Sequence, residues 1–477
     1  VLIQAALVPE PSVQAVDRAC VALDQSLGGS KVDRREASLL TYARDESEAI
    51  GLTPHVVVHA ETHDDVAAVL RIAQEHQVPV TPRAGGTGRT GGAVPAAGGI
   101  VLATGSMRRI LEIDRKDMLV VVQPGVVTAE LHEACEAEGL FYPPDPNSLK
   151  NCMLGGNIAE NAGGPRAFKY GVTRNYVLGL SACTMGGTSL QTGQRTVKGV
   201  TGYDVTSLLV GSEGTLAVVT SATLRLLRKP ESVVTMLGLF DSEKSAAECV
   251  TELLAAGFVP RCVEFMDAPT LEAVRKQGVS IDLAARAVLL IEVDGRLRDT
   301  ERDAEELGNA MTAAPGNLSV LVAQDAAQRD KLWEARRALS PATKKLAKYK
   351  LSEDIVVPRT QIPSLLSRVA QSGERHQVRH LTYGHAGDGN LHVNFLWDHD
   401  SDRPRVDAAI LDLMRATVEL GGTLSGEHGI GITKAPYLGL EQAGPLIDLQ
   451  RNLKQTFDPR GLLNPGKIFF GARHTSC

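Results

Sequence analysis

Three of the twelve histidines fall in glycine-rich turns beside polar or acidic residues, and that grouping is where the sequence first suggests chemistry. His385 and His392 flank the run Ala386-Gly387-Asp388-Gly389-Asn390, whose Asp-Gly and Gly-Asn pairs are tight-turn chemistry. A hairpin there would bring the two imidazoles close, and Asn394 would share a strand face with His392 because side chains repeat every second residue. Two imidazoles above a turn are half of a divalent-metal site. Glu427 and His428, in the glycine-flanked run Ser425-Gly426-Glu427-His428-Gly429-Ile430-Gly431, would supply a third ligand and a neighbouring base. A catalytic site of this kind keeps positions open for substrate oxygens. Paired histidines on a hairpin also serve purely structural roles, so both readings stand.

A second stretch suggests binding. Residues 82–95 read PRAGGTGRTGGAVP, with glycines at 85, 86, 88, 91 and 92. Without Cβ atoms, backbone N–H groups can turn inward and approach an anion, so the run reads as a diphosphate cradle. Gly86, Gly88 and Gly91 also match the glycine spacing of a nicotinamide-binding Rossmann turn, with Glu112 or Asp114 as the acidic residue downstream. Against that, residues 93–99 place a proline and two glycines where the crossover helix should run. A surface loop without a ligand is the third reading. The basic cluster Arg336, Arg337, Lys344, Lys345, Lys348 and Lys350 is by default the solvated face of a helix. The functional alternative points Arg336 inward, to grip a substrate carboxylate in a bidentate fork.

Elements that would position these groups follow from periodicity. Helices are expected at 12–26 and 33–42, then a strand at 56–59, a helix capped by Thr62 and a strand at 78–81 leading into the glycine run. Strands follow at 100–103, 110–113 and 118–122, and a helix capped by Thr128 runs to 138. Residues 141–170 show little periodicity and read as a long functional loop. Strands at 176–184 and 189–192, a helix at 205–209 and strands at 216–220 and 222–227 close this region. From 233 strands and helices alternate at longer intervals, as in an α+β domain with helices on one face of an antiparallel sheet. A strand at 354–357, the hairpin at 381–395 and a helix at 404–419 complete it.

Length and composition bound the rest. A chain of 477 residues allows two or three domains, and 43% hydrophobic with 22% charged residues is an ordinary globular balance. A formal charge of −6 without a basic, aromatic-interleaved stripe argues against nucleic acid and for a small-molecule partner. The seven cysteines are scattered and never spaced C-x-x-C, which argues against an iron–sulfur cluster or zinc ribbon and suits a reducing compartment. The apolar start VLIQAALVPEP lacks a basic region, so the expectation is a cytoplasmic protein, with peripheral membrane contact left open.

The stretches PRAGGTGRTGGAVP, PPDPNS…GGNIAENAGG…KYG, GSEGTL, YGHAGDGNLH, SGEHGIG and FDPRGLLNPGK together resemble the signatures of FAD-dependent D-2-hydroxyacid dehydrogenases. These form a group of the vanillyl-alcohol-oxidase and p-cresol-methylhydroxylase flavoprotein superfamily that includes D-lactate dehydrogenases, the glycolate oxidase flavin subunit and D-2-hydroxyglutarate dehydrogenases. The resemblance covers about residues 50–468. It implies an α+β protein: an FAD-binding domain of the p-cresol-methylhydroxylase type at 1–228, an inserted α+β, ferredoxin-like substrate domain at 229–420, and a C-terminal segment at 421–477 returning to the flavin. It places Arg83, Gly85, Gly86, Thr87, Gly88, Arg89 and Thr90 at the FAD pyrophosphate. Pro144, Gly155, Gly156, Asn157, Asn161, Gly164, Glu213, Gly214 and Asn464 would wrap the cofactor.

No histidine lies in the glycine loop, so the FAD is expected to be non-covalent. The same resemblance implies His385, His392 and Glu427 as ligands of a divalent metal, zinc first with manganese or iron as alternatives. His428 would be the base, with Arg336 and Asn394 beside the substrate. One departure concerns chain length: Ser352 stands where the hydroxyglutarate enzymes carry a lysine for a second carboxylate, with Lys350 two residues earlier. The expected substrate is therefore D-lactate or glycolate, with D-2-hydroxyglutarate as the alternative. Electrons would leave to an external acceptor: a quinone, an electron-transfer flavoprotein or an iron–sulfur subunit. An oxidase, a flavin subunit of a larger glycolate-oxidising assembly and a homodimer remain open.

Overall fold

The computed structural model of the protein describes residues 10–49 and 51–469, apart from the side chains of residues 340, 341 and 344. His474, Cys477 and the first nine residues of the apolar start lie outside the described residues, as do the side chains of Ser340 and Lys344. The chain forms two compact units. One comprises Gly164–Gly171 and Pro230–Gly426; the other holds the residues up to Gly163, Val172–Lys229 and those from Glu427 onward.

In the unit that contains the glycine run, β-branched segments build a four-stranded sheet ordered Val32–Asp33, Val56–His59, Ile100–Ala103, Val80–Arg83. The last three run parallel, with Ile100 between Val56 and Val80. Helices Val13–Leu27 and His63–His76 pack their apolar stripes on it, Leu23, Val66, Val69 and Leu70 meeting Val56, Val58, Ile100 and Leu102. Thr62 caps the second helix, as expected, and Asp65 completes a capping box with it. That helix ends at Gln77 in the left-handed region, and Val78 N–H still bonds the Ala73 carbonyl, so the next strand starts at Val80 rather than 78. The helix expected at 33–42 also starts later: Val32–Asp33 pairs with the sheet and only Glu36–Tyr42 is helical.

The glycine run itself connects Val80–Arg83 to its parallel neighbour Ile100–Ala103, with no crossover helix between them. The Rossmann reading therefore fails; Glu112 instead meets Arg195 at 2.7 Å on an exposed edge. That edge belongs to a five-stranded antiparallel sheet ordered Ile110–Asp114, Leu119–Val122, Val218–Arg225, Val177–Cys183, Ser189–Gly193. Val218–Arg225 is one strand where two were expected, because a bulge between Val219 and Ser221 absorbs the irregularity.

The stretch 141–170 holds helices Leu154–Glu160 and Ala167–Tyr170, contrary to the expectation of an irregular loop. Gly155 reads as a helix breaker, but a Cβ there would lie 2.6 Å from Pro124 Cβ, so its bareness permits close packing. Thr128 is the first residue of helix Thr128–Ala137 and not its cap; its hydroxyl accepts from Asn157 Nδ2 at 2.7 Å.

The C-terminal helix Gly444–Phe457 stops at Asp458, whose buried carboxylate accepts from Leu462 N–H (3.1 Å), Leu463 N–H (2.8 Å) and Lys454 Nζ (2.5 Å). This folds the chain back so that Leu463 bridges Val80 at the sheet.

The other unit is a seven-stranded antiparallel sheet ordered Asn317–Val322, Ser232–Phe240, Ala287–Gly295, Cys262–Met266, Arg379–His385, Asn390–Trp397, Tyr349–Val356. The strand expected at 354–357 thus starts five residues earlier, at Tyr349. Strand Asn390–Trp397 is buried at all eight positions, which requires cover on both faces, whereas helices on one face were expected. Helices Ala268–Arg275 and Glu334–Lys344 share a core with Met266, Leu381, Tyr383 and Leu396. Helices Ile362–His376 and Arg403–Glu419 also pack on these strands. The short Gly164–Gly171 segment is tied in by buried Asp294, which accepts from Lys169 Nζ (2.5 Å) and Tyr170 OH (2.8 Å).

Among the described residues, no helix is long and apolar enough to cross a membrane, and the six described cysteines are free. Asp458→Ala leaves the half-buried Lys454 without its carboxylate and two backbone N–H groups without their acceptor, a loss of about 2–3 kcal/mol. Denaturant unfolding of the variant should show that loss, and an unchanged midpoint would contradict this role for Asp458.

Candidate active site

Within the seven-stranded unit, the hairpin register sets Tyr383 opposite His392 and His385 opposite Asn390. His385 and His392 are thus diagonal neighbours on one face, their rings 5.4 Å apart and nearly perpendicular at 87°. Asn394 lies on the same face, wholly buried; its Nδ2 donates to the His392 carbonyl at 2.9 Å, and its Oδ1 has no hydrogen-bond partner among the described residues.

Two carboxylates that the sequence reading did not single out hold this face. Glu264, fully buried in the neighbouring strand, pairs across with His385 and accepts from its Nδ1. Its other oxygen accepts from Arg336 Nε at 2.5 Å, and the Arg336 guanidinium lies 5.2 Å over the Tyr383 ring. Burial pushes Glu264 upward, but the adjacent His385 and Arg336 outweigh it and hold the carboxyl at about 2. Arg336 therefore points inward as the functional reading requires, already paired by a protein carboxylate. Asp354, also fully buried, sits opposite His392 with Oδ1 3.7 Å from its Nδ1. It accepts from Asn390 Nδ2 (2.6 Å), Ser425 Oγ (3.2 Å) and Gly426 N–H (2.9 Å), and so fixes the chain just before Glu427.

In the other unit, Glu427 and His428 open the loop that leads to Gly431. Thr90 Oγ1 donates to the His428 carbonyl at 2.9 Å, and the Thr90 carbonyl accepts from Ile432 and Thr433 N–H. The Glu213 carboxylate accepts from Ile430 and Gly431 N–H, each at 2.7 Å. Glu427 Oε2 would lie 3.2 Å from a Cβ at Gly163, so the bare backbone there makes room for its carboxylate. Beneath the loop lies Glu160, another residue missed from sequence. Burial, then the Glu213 and Asp45 charges, push its carboxyl well above the usual range, with Lys467 opposing.

The proposed FAD residues divide by what surrounds them. Gly86 and Gly91 adopt φ of +66° and +86°, and a Cβ at Gly91 would strike Ala49 at 2.7 Å. Those positions need glycine for the fold itself. Gly88 and Gly156 would each accommodate a Cβ, with the nearest neighbour at an ordinary contact of 3.7 Å. The neighbour of Gly88 is Asp45, whose carboxyl burial pushes up toward its neutral form. Arg83 stacks 5.1 Å over Tyr42, Thr87 is half-buried and Arg89 is exposed.

The remaining candidates have partners in the fold. Pro144 accepts from His132 Nε2 at 2.9 Å, and Asn157 is engaged by Thr128. Asn161 caps helix Leu154–Glu160 in the left-handed region and accepts from Arg174 N–H at 2.8 Å. Asn464 Nδ2 donates to the Gly92 (3.0 Å) and Glu213 (2.7 Å) carbonyls. Gly214 needs its bareness against Pro82, 2.7 Å from a built Cβ. Gly164 belongs to the seven-stranded unit. In the glycine-run unit, Gly88 and Gly156 leave backbone uncrowded by neighbouring side chains, which is compatible with close approach of a diphosphate.

Residues 54–193 match an FAD binding domain, and residues 229–468 match the C-terminal domain of FAD linked oxidases. The chain is 41% identical to the glycolate oxidase subunit GlcD of Bacillus subtilis over 94% of its own length and 96% of that protein. It is 34% identical to a D-lactate dehydrogenase of Anaerostipes hadrus over 90% of this chain and 92% of that one. Among solved structures, p-cresol methylhydroxylase with substrate bound superposes with a TM-score of 0.82 at 14% identity, covering 98% of this chain and 99% of that one. The fold is accordingly that of the p-cresol-methylhydroxylase-type flavoproteins. With half of its length matched by the oxidase C-terminal domain and relatives this similar over nearly the whole chain, the protein belongs to the FAD-linked oxidase family.

Proposed function

We propose that the protein oxidises a short D-2-hydroxy acid, D-lactate or glycolate, to the 2-oxo acid with non-covalent FAD as the electron acceptor. The observation that carries the reading is the buried face on which His385, His392, Asn394 and Arg336 converge, each histidine with a carboxylate at its Nδ1 side. The family match supports the flavin, and the names of the glycolate oxidase and D-lactate dehydrogenase relatives support the acid.

His385 and His392 would present Nε2 to a divalent metal, zinc first, with Glu427 as the third ligand; Asp354 holds the peptide immediately before it. When bound, the flavin supplies a two-electron acceptor and the metal a Lewis acid that lowers the pKa of the substrate hydroxyl. Arg336 fixes the substrate carboxylate, oriented by Glu264. Asn394 lies beside His392 on the same face and would line the substrate position. His428 takes the hydroxyl proton as hydride leaves the adjacent carbon, and Thr90 steadies its backbone. Ser352 supports a monocarboxylate: it pairs opposite Asn394, while Lys350 donates to Thr343 at 3.1 Å. The natural acceptor is external, a quinone, an electron-transfer flavoprotein or an iron–sulfur subunit, and the subunit names of the glycolate oxidase relatives favour a larger assembly.

His428→Ala should retain FAD and lose about 10²–10⁴-fold in turnover of D-lactate or glycolate with an artificial acceptor. Wild-type turnover by the variant would remove the base, and faster turnover of D-2-hydroxyglutarate by the wild-type chain would overturn the short-acid assignment. Gly88→Ala adds a methyl that the fold accommodates at ordinary contact distance, so it should weaken FAD binding by about tenfold (~1.4 kcal/mol) without lowering apoprotein stability. Titration of the apoproteins with FAD checks this, and unchanged affinity would place the cofactor elsewhere.

A further inference from the structure

We propose that Glu264 is a positioning residue which sets a metal ligand and the substrate anchor together, so that one buried carboxylate determines the spacing between metal and substrate carboxylate. The inference rests on the proposed roles of His385 and Arg336. Glu264 stands in strand Cys262–Met266, in the interior of the sheet, paired on one side with Ala287–Gly295 and on the other with Arg379–His385. Its backbone has little freedom there. Every other residue of that strand is apolar and buried, so a carboxylate in this place needs donors of its own.

Both oxygens are used. Oε1 accepts from His385 Nδ1, which fixes the tautomer and leaves Nε2 as the ligating nitrogen. Oε2 accepts from Arg336 Nε, which holds the guanidinium plane over Tyr383. Two rigid hydrogen bonds from a single side chain thus tie helix Glu334–Lys344 and strand Arg379–His385 to one reference point.

A purely structural ion pair would contribute stability alone. Glu292 supplies the comparison: it is buried in the adjacent strand, accepts from Thr235 and Trp333 and pairs with Arg261 at 3.4 Å, and among the described residues it makes no direct hydrogen bond to His385 or Arg336. The experiment compares FAD-loaded wild type, Glu264→Gln and Glu292→Gln. Zn²⁺ affinity is measured by competition with a chromophoric chelator, and pyruvate affinity by perturbation of the oxidised-flavin band, alongside flavin content and unfolding midpoint.

The expected result is a 10–100-fold loss of Zn²⁺ affinity in Glu264→Gln together with weaker pyruvate binding, neither seen in Glu292→Gln. Wild-type affinities for both probes in Glu264→Gln would overturn the proposal. Should Glu264→Gln fail to fold, Glu264→Asp keeps the charge and withdraws it by one methylene; it should weaken both affinities, and unchanged values overturn the proposal equally. If wild type takes up no metal, the metal reading of the function falls. Pyruvate affinity then still tests Glu264 through Arg336, and an unchanged value in Glu264→Gln overturns the proposal.

Discussion

A carboxylate removed from water must be met by donors, and that constraint shapes each part of this protein that bears on chemistry. Glu264 gathers His385 and Arg336; Asp354 gathers Asn390, Ser425 and the Gly426 amide. In the other unit Glu213 gathers the Ile430 and Gly431 amides, and Asp458 folds the C-terminal turn onto the sheet. None of these acids is a proposed metal ligand or base. Glu264 fixes the ring of His385, Asp354 the backbone just before Glu427, and Glu213 the backbone just after His428. The loops that carry Glu427 and His428 owe their shape to such anchors, since glycines at 426, 429 and 431 leave them few side-chain contacts of their own.

Much of this was legible in the sequence, for identifiable reasons. The hairpin was announced by its Asp-Gly turn, and period-two alternation placed His392 and Asn394 on one face. The helix cap at Thr62 and the absence of a crossover helix after the glycine run were equally readable. Glycine misled in one place and informed in another. Gly155-Gly156 suggested an irregular chain where helix Leu154–Glu160 needs bare backbone to pack on Pro124. The two-sided burial of Asn390–Trp397 was hidden because His392 and Asn394 interrupt its apolar pattern, so a buried face looked half solvated.

The anchoring acids were illegible for a different reason: their partners are distant in the chain. Glu264 is 121 residues from His385 and 72 from Arg336, and Glu213 is 217 from Ile430. A lone glutamate in the apolar run Val263-Glu264-Phe265-Met266 was the available signal. Read as a buried charge demanding partners, it would have pointed to a site before any partner was known.

The central claim is that a flavin and a metal act together on a short 2-hydroxy acid at this face. An anaerobic visible spectrum of the FAD-loaded protein tests it most directly, recorded with D-lactate, L-lactate, glycolate and D-2-hydroxyglutarate in turn, each with and without a chelator. The account predicts that D-lactate or glycolate bleaches the oxidised-flavin band and that the chelator abolishes the bleaching. A protein that takes up no FAD on reconstitution, or a flavin bleached equally well in the presence of chelator, would contradict it.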